Sequence, residues 1–133
     1  MAIQLSTTVR NARLDAIETT VGVSPILRIR DGALPANCAA ADAGAVLAEL
    51  NLPSDWMAAA SGGTKGILGT WQDLSANNSG TATHFRIYDS GGSTCHMQGT
   101  VGTAATDMIV TSTTFTAGAS FTITSFTLTD GNA

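Results

Sequence analysis

Charge is scarce in this chain. Asp, Glu, Lys and Arg make 12% of its 133 residues, about half the quarter usual in soluble domains. Six side chains are basic against ten acidic, leaving a net charge of −4 and a pI near 4.7. Nucleic-acid binding without sequence preference rests on Lys and Arg neutralising phosphates, so no nucleic acid is expected as a partner. Arg10, Arg13, Arg28 and Arg30 do gather in the first quarter of the chain. They read as solvated faces or as pairing groups between subunits.

Long apolar runs are missing as well. No stretch approaches the ~20 residues that cross a bilayer. The opening MAIQLSTTVR has no basic segment leading into an apolar one, as a signal peptide would. Synthesis in the cytoplasm and no membrane partner are expected. Aromatic residues make only 5% of the chain, with Trp56, Trp71 and Tyr88 far apart. That is a faint signal for a sugar-binding platform.

There are two cysteines, Cys38 and Cys95. A bridge between them would close a long loop and add about 4 kcal/mol in the chain-entropy model. A reducing cytosol opposes it and release from the cell would favour it, so both states stay open. A zinc site needs about four ligands at finger-like spacing. Here Cys38, Cys95, His84 and His96 are the whole stock, and neighbours on a strand point to opposite faces. No metal or other cofactor is expected.

Catalytic motifs are equally thin. No G-x-S-x-G elbow is present. Asp31, Asp55, Asp73, Asp89, Asp107 and Asp130 fall mostly at turns, which Asp favours for its own reasons. Nothing among them selects a glycosidase pair. Gly62-Gly63-Thr64-Lys65-Gly66 lacks the spacing and the following helix of a phosphate loop. The chain is not expected to be an enzyme.

What fills the chain is Ala, Thr, Ser and Gly in short alternating runs. Its length suits one domain over 1–133 with a single core. Thr81–Val101 is the clearest stretch: two strands joined by Ser90-Gly91-Gly92-Ser93. Alternation around a Gly-Gly turn marks a hairpin. Phe85 and Ile87 fall on one face and His84, Arg86 and Tyr88 on the other; across the turn, Cys95 and Met97 oppose His96 and Gln98. The row His84, Arg86, Tyr88 is either a binding surface, with residue types enriched at interfaces, or an ordinary solvated sheet face.

Upstream, Leu5, Val9, Ala12 and Ala16 recur at helical spacing, with Leu14 and Ile17 as a second edge. Ser6, Thr7 or Thr8 caps this helix over 5–21, and Gly22 ends it. Its stripe, Leu5, Val9, Leu14 and Ile17 with Arg10 and Arg13 nearby, packs within the chain or meets a neighbour. Residues 25–30 form a strand with Leu27 and Ile29 inside. Ala33–Gly44 reads as an irregular loop, 45–52 as a second strand, and Gly66–Asp73 as a third. Asp107–Phe115 and Ser120–Thr129 complete the set. In the last, Phe121 and Ile123 are out of phase with Phe126 and Leu128, which predicts a β-bulge near Thr124-Ser125. Some seven short strands after one helix predict a mainly β fold, an antiparallel sandwich of jelly-roll type over 25–130.

Four pieces carry a resemblance: Leu5–Ile17 (LSTTVRNARLDAI), Ile26–Pro35 (ILRIRDGALP), Gly80–Gly92 (GTATHFRIYDSGG) and Phe121–Gly131 (FTITSFTLTDG). In this order the chain resembles small virion proteins of tailed bacteriophages. The resemblance implies a structural protein and transfers no catalytic residue. It implies a capsid decoration (cement) protein that binds the major capsid protein and copies of itself, in a virion assembled in the bacterial cytoplasm. The alternative it leaves is a tail or fibre component, either a connector or a receptor- or glycan-binding module.

Overall fold

A computed structural model describes residues 3–133. The fold is mainly β, with 34% of residues in strands and 11% in one helix, and its sheets are curled and largely antiparallel. Helix α1 (Thr7–Val21) starts where Ser6 accepts the Val9 amide on its hydroxyl at 3.2 Å. It stops at Gly22, whose φ of 94° a side chain would resist. The strands are β1 (Ile26–Arg30), β2 (Val46–Asn51), β3 (Thr64–Gly66), β4 (Trp71–Asp73), β5 (Gly80–Thr81), β6 (His84–Tyr88), β7 (Cys95–Gly102), β8 (Met108–Ile109), β9 (Thr114–Phe115), β10 (Phe121–Ile123) and β11 (Thr127–Thr129).

The principal sheet runs β2-β1-β6-β7-β8, and three two-stranded sheets pair β10 with β4, β11 with β3 and β5 with β9. Leu27 lies opposite Ile87 and Ile29 opposite Phe85, so the apolar positions of the two central strands form one buried face. Behind it sit the aromatic rings. Trp56 lies 5.9 Å from Trp71, Trp71 6.0 Å from Phe126, and Phe126 5.5 Å from Phe85. Such offset and edge contacts add to the area these rings bury. Both indoles are fully buried and both donate: Trp71 Nε1 to the Trp56 carbonyl and Trp56 Nε1 to that of Gly22, each at 3.0 Å.

The bulges fall elsewhere than expected. Ile29 pairs with Ala48 but Arg30 with Val46, leaving Leu47 as the extra residue, and Leu47 and Ala48 are both fully buried. In β7, Ile87 pairs with Met97 and Tyr88 with Cys95. His96 is skipped, so Cys95 moves onto the face of Gln98 instead of sharing that of Met97. At Thr124-Ser125 there is no bulge. The chain leaves β4 after Ile123 and joins β3 at Thr127. Changing partners lets Ile123 and Phe126 both go inside despite the phase slip.

Two other expected strands are likewise divided. The run 66–73 breaks into β3 and β4 at Gly69, which sits at φ 75° where a Cβ would come within 2.9 Å of Pro53. The run 107–115 breaks into β8 and β9. Short apolar runs in this sequence mark half-strands that exchange partners.

The helix has few apolar anchors, since only Leu14 and Val21 are buried, with Ile17 packed partly against the core. Its attachment is ionic. Lys65 of β3 is 1% exposed, and its ammonium lies 2.7 Å from both Asp15 and Glu18 of α1 while donating to the Ala58 carbonyl at 2.9 Å. Burial alone would lower the pKa of this amine, but the two carboxylates outweigh it and hold it above the usual lysine value. The asymmetry of burial gives a directional prediction. Asp15→Asn with Glu18→Gln strands a buried cation and should cost about 3–5 kcal/mol in urea unfolding. Lys65→Met leaves acids that water still reaches, and should cost about 1–2 kcal/mol. Equal losses would mean that the clamp does not anchor the helix.

Candidate interaction surface

The polar row of the hairpin is not a surface. His84 is fully buried and Arg86 and Tyr88 are 2% exposed. These three residues therefore leave the set of surface positions that the alternation suggested. The cover is the 33–44 segment, which has no regular secondary structure and lies over the polar face of β1 and β6. Alternation reports that one face of a strand is apolar. It says nothing about a polar face that a loop later roofs over.

The roof is held by hydrogen bonds to Arg86. Its guanidinium donates to Asp42 at 2.7 Å, to the carbonyls of Asn37 and Ala40 at 2.8 and 3.0 Å, and to Gln98 Oε1 at 3.0 Å. Asp42 also accepts from Arg30 at 3.1 Å and from the Tyr88 hydroxyl at 2.6 Å. Burial would raise the Asp42 pKa, but Tyr88, Arg86 and Arg30 together hold it below the ordinary value. On the same face Arg28 stands directly opposite Arg86, a like-charge pairing that is costly by itself. Glu49 takes up Arg28 at 2.8 Å, and Arg28 also lies 4.7 Å above the Tyr88 ring. Sequence reading missed Asp42, Asn37 and Gln98. The one available signal was that two facing arginines require carboxylates from somewhere.

His84 sits among these cations with Nδ1 3.0 Å from the Thr83 hydroxyl and Nε2 buried without a partner. Burial lowers its pKa, and Arg30 and Arg86 lower it further.

The helix residues divide. Leu14 is buried and Ile17 half-buried, so this edge of the stripe packs within the chain. Leu5 is half-buried, Val9 is 45% exposed, and the Arg13 side chain is 55% exposed while contacting Asp130 at 3.1 Å. Arg10 is drawn inward, donating to the Asp130 carbonyl at 3.3 Å and to Thr7 at 3.4 Å. A shallow groove lies along the outside of α1, lined by Arg13, Ala16, Ile17, Thr20, Val21 and His96. It continues past Arg13 and Ile17 to Thr129 and Asp130. Of the sequence-predicted positions, Arg13 and Ile17 line this groove, and Val9, one helical turn before Arg13, is exposed.

No metal-binding group of three or more His, Cys, Asp or Glu side chains is found among the described residues. Among the same residues no helix is long and apolar enough to cross a membrane. No family model matches the chain, and no curated protein or solved structure shows significant similarity to it.

Two outcomes follow from the roofed cluster. Asp42→Asn leaves the buried Arg86 and Arg30 without their shared anion, and should lower unfolding stability by about 3 kcal/mol. For His84, the fold prefers the neutral ring, so the unfolded chain binds the proton first. Its contribution is complete above the ordinary pKa of 6.5 and is lost as pH falls below that value. His84→Gln should flatten the stability profile below pH 6.5, as read by urea midpoints across that range. An unchanged slope would show that His84 is not the group responsible.

Proposed function

We propose that the chain is a structural protein of a tailed-bacteriophage virion that decorates the outside of the capsid. It would act as a homo-oligomer on the major capsid protein, with its short strands forming a jelly-roll-like sandwich. The resemblance of four segments in order supports this reading. The observation that carries it is the disposition of charge. All six basic side chains are bonded inside the chain: Arg10 and Arg13 to Asp130, Arg28 to Glu49, Arg30 and Arg86 to Asp42, and Lys65 to Asp15 and Glu18. A surface rich in small residues, with Asp55 and Asp107 exposed, suits adhesion by shape and apolar contact. It does not suit capture of polyanions.

The role is mechanical. Contacts along the α1 groove bury apolar area between subunits and raise the cost of separating capsomers. Repetition over a lattice turns a weak contact into a durable one where geometry permits simultaneous engagement. No reaction is assigned to the chain. In the alternative, a glycan-binding tail module, an aromatic platform would be needed, yet Trp56 and Trp71 are fully buried and Tyr88 is 2% exposed.

Copy number tests the proposal directly. In particles of the phage that encodes the chain, quantitative mass spectrometry should find hundreds of copies. A handful would place it in the tail, and none would overturn the virion reading. Val9→Asp with Ala16→Glu, both at exposed positions of α1, should reduce particle occupancy about tenfold or more with little change in melting temperature. Full occupancy of the double variant would remove α1 from the interface.

A further inference from the structure

The 33–44 roof brings the two cysteines together. Cys38 belongs to its central turn, where the Asn37 side chain accepts the amides of Ala39 and Ala40 at 2.9 and 3.0 Å. Cys95 reaches the same place because the skipped His96 swings it onto the polar face of the sheet, opposite Tyr88. Both thiols are free, both are half-buried, and both line one cavity of about 210 Å³ with Asp42, Arg86, Tyr88 and Ser93. Burial, together with the adjacent Cys38 thiol, pushes the Cys95 thiol up to about 12. Cys95 also donates to the Met97 carbonyl at 3.4 Å.

We propose that Cys38 and Cys95 form a reversible intramolecular disulfide that latches the 33–44 segment onto β7. The inference rests on the placement of the two thiols and holds whatever the chain's partners are. The oxidant is a low-molecular-weight disulfide, RSSR, such as oxidised glutathione. Cys38, carried on the roof, attacks one sulfur of RSSR as the thiolate. The S–S bond breaks, one RS⁻ leaves, and a mixed disulfide remains on Cys38. Cys95 then attacks the Cys38 sulfur and expels the second RS⁻. Two protein thiols are oxidised to one disulfide, and RSSR is reduced to two RSH, which carry off the two protons. The bond ties residues far apart in sequence, so it removes much conformational freedom from the unfolded chain. It fastens the segment that supplies Asp42 and the carbonyls of Asn37 and Ala40 to Arg86.

The experiment uses the full chain, reduced and then incubated with oxidised glutathione. Intact mass should fall by two hydrogen atoms, and tryptic digestion should yield peptide 31–65 joined to 87–133 through Cys38 and Cys95. The melting temperature should rise by about 10 °C and return on adding dithiothreitol, whereas Cys38→Ser should show no rise. Stable glutathione adducts on both thiols, a disulfide-linked dimer, or a closed bond that leaves melting unchanged would each overturn the latch. Mapping of the unsubstituted chain decides the linkage even if the variant folds poorly.

Discussion

A cation taken out of water must be matched by an anion and by enough hydrogen bonds, or the fold carries the full cost of desolvation. This chain buries two such cations almost completely, Lys65 at 1% and Arg86 at 2% exposure. Each is placed by a strand and satisfied by a segment that needs fixing. Lys65 on β3 holds α1 through Asp15 and Glu18. Arg86 on β6 holds the 33–44 roof through Asp42 and two carbonyls. Neither α1 nor the roof has enough apolar surface to stay put unaided: the helix buries two residues, and the roof has no regular structure. The strand framework therefore reaches its least regular parts through charge.

The same constraint explains what was legible in the sequence and what was not. The helix, its Ser6 cap and its Gly22 stop depend on residues within one turn, and the 25–30 strand and the hairpin depend on local alternation; all stand where those signals put them. The inward set Leu27, Ile29, Phe85 and Ile87 is equally local. What was hidden depends on partners far along the chain. His84, Arg86 and Tyr88 look solvated until Asp42 is brought across from 44 residues upstream of Arg86. Lys65, set in a run that only superficially suggested a phosphate loop, gains its meaning from Asp15 fifty residues earlier. The divided strands belong here too. Phase slips at Thr124-Ser125 were visible, but whether the chain bulges or changes partner is decided by which strand lies alongside.

Buried charge also bears on register. Strands this short, with apolar faces of only two or three residues, specify their pairing weakly, and a slip of one position turns every side chain over. In the β1–β6 pair, a slip of β6 would bring Arg86 toward the packed aromatic rings and Phe85 under the roof. Arg86 would then lose four hydrogen bonds at once. A hydrophobic residue displaced by one position finds other hydrophobic residues to touch; a guanidinium displaced from Asp42 finds nothing equivalent. The polar cluster thus discriminates between registers that apolar burial alone leaves close in energy.

It follows that the surface of this protein is defined by subtraction. With all six basic groups drawn into internal bonds and the large aromatic side chains mostly buried, what faces outward is mostly small, polar and weakly acidic, with scattered aliphatic side chains such as Val23 and Leu74. The groove beside α1 sets part of Ile17 and the exposed Ala16 next to a half-free Arg13. Each such contact is small, and area alone does not set affinity. In the proposed capsid role, a single copy would gain little from docking there, and many copies held at lattice spacing would gain together. The internal use of charge and the proposed reliance on repetition are consequences of one composition. A chain with so few ionic groups satisfies its own buried cations first, and in the proposed role would hold a neighbour by shape and number.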